Sequence, residues 1–328
     1  MLNGKNILIT GGTGSFGTAF VDYVLENFSP SKLVVFSRDE MKQWSMRERL
    51  GDHPCLRFLL GDVRDKDRLK RAFSGIDIVL HAAATKIVPV AEYESFECVK
   101  TNVFGAMNVI DAAIDCGVSK VVALSTDKAS APVNLYGATK LTSDRLFVSA
   151  RHYAGNKSNP IFSVVRYGNV MGSRGSVIPL FLNLKKESRS LPITDENMTR
   201  FMITLDEAVE LVMTALEKGK GGEIFVKKIP SMKVVDIADA IAPGLQRKIV
   251  GIRPGEKLHE QMIGTEDAST TLEYAGYFKI RPFDADPLEN DEGKPLPNDF
   301  VYSSGNNKDW MTKQELLDWV ENAKMLDI

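Results

Sequence analysis

The chain has 328 residues, 44% of them hydrophobic and 26% charged, enough apolar material for one large or two modest cores. Its net charge of −2 offers no basic field to nucleic acid or an anionic membrane, and no apolar run approaches the roughly 20 residues of a membrane span. Three cysteines (Cys55, Cys98, Cys116) and four scattered histidines form neither a metal-ligand spacing nor a disulfide framework. With Lys5 interrupting the start of the chain, no leader is expected, and the sequence points to a cytoplasmic protein with reduced thiols and no metal.

From the N-terminus, short β-branched runs alternate with helical patterns. Asn6–Thr10 predicts a strand and Gly14–Asn27 an amphipathic helix. Lys32–Phe36, Leu56–Leu60, Ile76–His81, Val121–Ser125 and Ile161–Arg166 predict further strands. This alternation indicates parallel βαβ units, hence an α/β fold with a Rossmann-like, doubly wound parallel sheet. After Tyr167, glycine, arginine and proline cluster. There the pattern predicts helices at Leu205–Lys218, Val234–Ala242 and Thr312–Leu326, a strand at Glu223–Val226, and a Pro- and Asp-rich surface excursion over Phe283–Val301. The expected division is a nucleotide-binding domain over 1–170 and a smaller α/β region over 171–328, mainly for substrate, with some late segments returning to the first domain.

The stretch TGGTGSFG, Thr10–Gly17, follows the first strand and opens the first helix. Gly11, Gly14 and Gly17 permit a tight turn and a close backbone approach. Around them, Thr13, Ser15 and Phe16 belong to a helix N-terminus whose free N–H groups suit a pyrophosphate. The second strand runs into Ser37 and Arg38, where an NAD enzyme usually carries an acid for the ribose hydroxyls. A guanidinium suits a 2′-phosphate instead, so NADP is the favoured cofactor; the alternative is that Arg38 merely pairs with Asp39 or Glu40. Asp62 and Val63, after the third strand, are placed for the adenine. Ala82, Ala83 and Ala84, after the fourth, are small enough to let the cofactor approach. Lys86 and Asn102 either face the site or simply solvate and cap.

Ser125 and Thr126 stand at the carboxyl end of a strand, where open α/β sheets bind ligands. Tyr136 and Lys140, four residues apart, share a helical face. A free tyrosine, with a pKa of about 10, is a poor base. A neighbouring ammonium and a positive nicotinamide favour the phenolate, so Tyr136 can take a proton from a substrate hydroxyl. Thr126 can hydrogen-bond that hydroxyl, and Lys140 can also hold the nicotinamide ribose. Asp127 and Lys128, just upstream, are surplus to such a pair, and out of context they are a solvated loop pair.

TGGTGSFG, HAAATK, STDK and YGATK, in this order, resemble an extended short-chain dehydrogenase/reductase. STDKASAPVNLYGATK, with RYGNVMGSRGSVIP and RPGEKLHE, is similar to the configuration-inverting UDP-N-acetylglucosamine 4,6-dehydratase family, from the first strand to the last helix. The resemblance implies an NADP-dependent hydro-lyase acting on UDP-N-acetylglucosamine in pseudaminic acid (flagellin-sugar) or capsular-sugar synthesis. It also implies a homo-oligomer, dimer or hexamer, without the membrane spans of longer relatives. In that family, C4 of the sugar is oxidised first. The position matching Lys128 then removes the C5 proton, and the position matching Asp127 protonates the departing C6 hydroxyl. A neutral Lys128 is expected to follow from desolvation, Lys140 and the nicotinamide charge, with Asp127 opposing only weakly if the segment is extended and adjacent side chains point apart. Retaining dehydratases typically carry Asp-Glu here, so Asp-Lys resembles the inverting group.

Beyond the strand at Ile161–Arg166, Asn169 resembles a diphosphate contact, and the basic, glycine-flanked loop Ser173–Val177, which includes Arg174, suits phosphate or base. Thr194 and Arg200 lie in PITDENMTRF, which resembles a nucleotide-gripping segment. Arg253 and Glu256 look like a diphosphate arginine and a ribose-binding acid; Lys86 and Tyr136 are candidates on the sugar side too. His259 is expected to be structural. Two alternatives stand beside this. A UDP-sugar 4-epimerase has no use for Asp127 and Lys128, and a non-catalytic NADP-binding regulator commonly lacks the tyrosine or the lysine.

Overall fold

In the computed structural model, which describes residues 1–153, 160–173, 175–285 and 291–323, the apolar runs of the first half are strands. These are β1 (Asn6–Thr10), β2 (Lys32–Ser37), β3 (Leu56–Leu60), β4 (Ile78–His81), β5 (Lys120–Leu124) and β6 (Ile161–Arg166). They pair in parallel in the order β3-β2-β1-β4-β5-β6, the doubly wound arrangement expected. Helices cover both faces, which is why these strands read as continuous apolar runs rather than alternating ones. Ile7, Leu8, Ile9, Val79, Leu80 and Val121 are fully buried. The strand order reverses between β1 and β4, and that reversal opens a crevice at the carboxyl ends of the strands.

The chain after residue 170 comes back to this sheet. The strand Glu223–Lys227 pairs in parallel with β6, Tyr277–Ile280 follows antiparallel, and Thr271–Glu273 and Lys294–Pro295 complete ten strands. The excursion expected over Phe283–Val301 thus supplies an edge strand, and its residues 286–290 lie outside the described ones. A second apolar cluster gathers Phe181, Leu191, Met202, Met232, Ile237 and Leu316. It packs the helices Val177–Lys186, Val234–Ile241 and Lys313–Asn322 around the small sheet formed by Asn169–Val170, Thr199–Ile203 and Ser231–Lys233. Several of these pieces are two or three residues long and left no periodic signal to read. The last helix starts where Thr312 and Glu315 form a capping box. It runs to Asn322, and the rest of the predicted helix from residue 324 to Leu326 lies outside the described residues.

Arg166, at the end of β6, is 1% exposed and ties the two halves together. Its Nη1 donates to the Met262 carbonyl at 2.7 Å and lies 3.4 Å from Asp267, while Nη2 lies 3.3 Å from Asp144. Asp144 also accepts from the Ser125 hydroxyl at 2.7 Å. One buried guanidinium therefore fixes β6, the helix Leu135–Ser149 and the segment 261–267 around the end of β5.

Candidate active site

The glycine-rich turn is built for contact with backbone. Gly11 has φ +66°, and a Cβ there would lie 2.8 Å from the Ala83 nitrogen. At Gly17 a Cβ would lie 2.5 Å from the Gly12 Cα, so the helix Ser15–Asn27 can close on β1 only with glycine at 17. Gly14 caps that helix and no side chain occupies its first-turn N–H groups, which leaves a cradle fitted to a dinucleotide pyrophosphate. Thr13 is buried and Ser15 half-buried. Phe16 is turned into the core, stacked 6.1 Å from Phe20, so its backbone alone is available to a ligand.

At the end of β2, Ser37 is buried and its hydroxyl accepts from Gln43 at 3.1 Å. Arg38 is exposed, and its nearest acid is neither Asp39 nor Glu40. Asp39 caps the helix Glu40–Leu50, whereas Arg38 lies 3.5 Å from Asp62. Burial pushes the Asp62 carboxyl up, but the Arg64 hydrogen bonds and the charges of Arg64 and Arg38 outweigh it and hold the group below the usual range. Val63 is packed against Gly105 in the core. Ala82 and Ala83 are half-buried and Ala84 and Lys86 exposed. Asn102 is buried; its amide accepts from the Thr85 nitrogen and donates to the Thr85 carbonyl and Thr139 hydroxyl, clamping the loop after β4 to the helix Leu135–Ser149. His81 is also committed: its Nδ1 is 2.9 Å from the Thr10 hydroxyl, and burial holds its pKa down to about 3.

Beyond β5 the geometry departs from the sequence reading. Asp127–Ala129 is not extended but a 3₁₀ turn, capped by Thr126, whose hydroxyl accepts from the Lys128 nitrogen at 3.3 Å and donates to Asp127 Oδ1 at 3.0 Å. The turn brings adjacent side chains together instead of apart, and Lys128 Nζ donates to Asp127 Oδ1 at 3.0 Å. Lys128 Nζ also lies 3.2 Å from Glu260, a residue sequence reasoning had not assigned. Burial lowers the Lys128 pKa, but the Asp127 and Glu260 carboxylates outweigh it and the net shift is upward. The expectation of a lysine lowered by desolvation is therefore corrected: Lys128 is an ammonium here.

Helix Leu135–Ser149 packs directly on this turn. A Cβ at Gly137 would lie 2.3 Å from the Lys128 carbonyl, so glycine is required for the approach that brings Tyr136 to the Asp127–Lys128 pair. Burial pushes the Tyr136 hydroxyl up to about 12, opposed first by the Lys128 charge and then by the Thr126 hydrogen bond. The cation easing Tyr136 ionisation is thus Lys128, where Lys140 was expected. The Lys140 ammonium donates to the Leu124 carbonyl at 2.7 Å, and burial lowers its pKa against the opposing charge of Asp144.

The segment RPGEKLHE crosses over the same turn. Asn134, which caps the Tyr136 helix, donates to the Gly255 carbonyl at 2.8 Å, and Lys257 donates to the Ser130 carbonyl at 2.6 Å. Glu260 is 3% exposed between Lys128, Lys257 (4.0 Å) and Arg200 (4.0 Å). Arg200 itself donates to the Thr199 carbonyl at 2.7 Å. Arg253, largely exposed, pairs with Glu256 at 2.6 Å. Asn169, Val177 and Thr194 are half-buried at neighbouring element ends, and Arg174 lies outside the described residues. His259 is structural: its Nδ1 meets the Thr199 hydroxyl at 2.8 Å and Gly305 lies against its ring. Among the described residues, the buried side-chain oxygens without a partner include Asp127 Oδ2, Glu260 Oε2, Asn169 Oδ1 and Ser176 Oγ. Unsatisfied acceptors on these segments are what a polar ligand would complete. No group of three His, Cys, Asp or Glu side chains among the described residues is placed to hold a metal, and no described helix is long and apolar enough to cross a membrane.

The profile of the family described as "Polysaccharide biosynthesis protein" matches residues 7–282. A UDP-N-acetylglucosamine 4,6-dehydratase (inverting) of Campylobacter jejuni subsp. jejuni serotype O:23/36 (strain 81-176) is 52% identical over 335 residues, covering 99% of each chain. A UDP-glucose 4-epimerase of Rickettsia akari (strain Hartford) is 43% identical over 87% of this chain and 84% of its own. The crystal structure of DesIV, a dTDP-glucose 4,6-dehydratase from Streptomyces venezuelae with NAD and TYD bound, superposes with a TM-score of 0.70 at 25% identity, over 77% of this chain and 86% of that one. The chain belongs to the polysaccharide biosynthesis protein family, among the extended short-chain dehydrogenase/reductases.

Proposed function

We propose that the chain is a 5-inverting UDP-N-acetylglucosamine 4,6-dehydratase, an NADP-dependent hydro-lyase. The observation that carries this is the Asp127–Lys128 pair seated beside Tyr136 at the end of β5, since oxidation at C4 alone needs no second acid and base. When bound, the nicotinamide supplies reversible hydride acceptance, from C4 and back to C6. Gly11, Gly14 and Gly17 with the N–H groups of Thr13, Ser15 and Phe16 hold its pyrophosphate, and Asp62, Val63, Ala82, Ala83, Ala84 and Ser125 line its path; Lys140 and Lys86 hold the ribose and sugar side. Asn169, Val177, Thr194, Arg200, Arg253 and Glu256 take the UDP. We assign 1–170 mainly to cofactor and 171–328 mainly to sugar nucleotide.

Tyr136, assisted by Thr126, takes the proton from the C4 hydroxyl, and the C4 ketone acidifies C5–H. Lys128 must then be a neutral base and Asp127 a protonated acid, although the two carboxyl groups beside Lys128 favour its ammonium form. The 3.0 Å bond between them resolves this. One proton passed from Lys128 Nζ to Asp127 Oδ1 breaks an N–H bond, forms an O–H bond, and yields amine and carboxylic acid together. Bound sugar excludes water and so favours the neutral pair over the charged one. Lys128 removes the C5 proton, and Asp127 protonates the C6 hydroxyl, which leaves as water. Once C6 has been reduced, a proton from solvent adds to C5 on the face opposite Lys128 and gives the inverted centre.

The test is the product from UDP-N-acetylglucosamine followed by proton NMR. A C6 methyl doublet is expected; a galacto-configured sugar without a methyl would instead establish the 4-epimerase reading suggested by the Rickettsia relative. Binding of NADP without any turnover would establish a regulator. The exposed Arg38 guanidinium just after β2 supports NADP, although Asp62 lies 3.5 Å from it and the DesIV structure carries NAD. Arg38→Ala is expected to weaken NADP⁺ binding by about 10- to 100-fold, the worth of a charge-assisted contact. NAD⁺ affinity should stay within about threefold, and equal losses for the two cofactors would remove Arg38 from the 2′-phosphate. Cytoplasmic location, homo-oligomeric assembly and a role in pseudaminic-acid or flagellin-sugar synthesis follow from the resemblance. Exposed Tyr93, Phe96, Phe104 and Met107 on neighbouring helices favour self-association.

A further inference from the structure

Glu260 has no place in the chemistry above, yet it is among the most enclosed acids of the protein, at 3% exposure. Its Oε1 lies 3.2 Å from Lys128 Nζ and 4.0 Å from Arg200 Nε, and its Oε2 has no hydrogen-bond partner, the nearest cation being Lys257 at 4.0 Å. The backbone around it is fixed from a different part of the chain: the Glu260 nitrogen donates to the Ser304 hydroxyl at 2.9 Å, and the Ser304 nitrogen donates back to the Glu260 carbonyl at 2.7 Å. A carboxylate buried at such cost without full pairing needs a reason, and the group it touches most closely is the proposed C5 base.

We propose that Glu260 is a positioning residue for Lys128: from the side opposite Asp127 it docks the lysine side chain in the site and holds it in the ammonium form until sugar nucleotide binds. The proposal rests on the dehydratase reading for its consequence, but its physical content is separate from it. The groups facing Lys128 are Asp127 on its own turn, Tyr136 on the helix Leu135–Ser149, Arg200 on the strand Thr199–Ile203, and Glu260 and Lys257 on the crossing segment. Two carboxylates raise its proton affinity, while burial and the cation Arg200 lower it, and the carboxylates prevail. Arg200 also lies against Glu260.

Removing the charge of Glu260 while keeping its shape therefore lowers the pH at which Lys128 becomes an amine. In Glu260→Gln the Asp127–Lys128 pair takes up a second proton less readily, so the acid limb of the pH–rate profile for C6-methyl formation is expected to move down by about one pH unit, about a tenfold gain in rate at a given pH on that limb. Glu260→Asp, which keeps the charge, is expected to keep the limb near its wild-type position. A purely structural role would change the height of the profile and leave the limb in place. The second readout needs no turnover: Lys128, ¹³C-dimethylated reductively and assigned by its loss in Lys128→Arg, is titrated by NMR in wild type and Glu260→Gln, with NADP⁺ binding as the check on folding. A lower titration midpoint in Glu260→Gln supports the proposal. An unmoved midpoint overturns it, whether or not the wild type makes a methyl product, and wild type without methyl product sinks the dehydratase reading alone.

Discussion

Lys128→Ala is expected to reduce formation of the C6-methyl product by about 10²- to 10⁴-fold, the usual worth of a positioned acid–base group. Oxidation at C4 is expected to continue, so a single turnover should leave reduced nicotinamide, visible by its absorbance, where the wild type leaves none. The C4 step should itself slow, though by less. The Lys128 charge is the first influence opposing the burial that pushes Tyr136 up to about 12, and its loss makes the phenol harder to ionise. Asp127→Asn should give the same accumulation, because removing either end of the 3.0 Å bond prevents the proton shift that creates base and acid together. A Lys128→Ala protein that forms methyl product at the wild-type rate would take the lysine out of the elimination.

Arg166→Met is expected to destabilise the fold by about 3–5 kcal/mol, the cost of leaving buried charges without their partner. Asp144 and Asp267 would both lose the guanidinium that lies between them, and the Met262 carbonyl would lose its donor. The measurement is the midpoint of urea unfolding at constant m-value. Its pH dependence has a definite sign. Burial already raises the Asp144 carboxyl, with Arg166 the main opposing influence. Without Arg166 the folded-state pKa rises further above the unfolded value of about 3.9, so folding favours the protonated acid. The variant should therefore lose stability progressively as pH rises from about 4 through the raised pKa, and differ least from wild type in acid. A loss under 1 kcal/mol at pH 7, or one that grows toward acid, would contradict the network described.

The parts of the site legible in the sequence are those set by local spacing. Gly11 to Gly17 mark a strand–turn–helix through backbone conformation alone, and Tyr136 and Lys140 share a helix face because four residues are about one turn. The parallel, doubly wound character of the sheet follows from the same alternation of apolar runs and helices, whereas its strand order came only from the structure. What stayed hidden depends on approaches over long stretches of chain. Glu260 and Arg200 reach Lys128 across more than 130 and more than 70 residues of sequence, at or beside strands of three to five residues that carry no periodicity. The Asp127–Lys128 geometry was misjudged for a different reason. A 3₁₀ turn of three residues, held by the Thr126 cap, reverses the alternation an extended segment would have, and no pattern of that length announces it. Arg38 was read by its chain neighbours, whereas β3 places Asp62 beside it.

The central claim is that one site oxidises C4, expels the C6 hydroxyl and returns the same hydride, with Tyr136, Lys128 and Asp127 moving the protons. UDP-N-acetylglucosamine deuterated at C4, incubated with NADP⁺-loaded protein in ordinary water, tests it most directly. The expected product carries the deuterium in its C6 methyl group and has an inverted C5, with no net reduced cofactor released. Deuterium retained at C4 of a product lacking the methyl group, or reduced cofactor accumulating in step with substrate consumed, would contradict it.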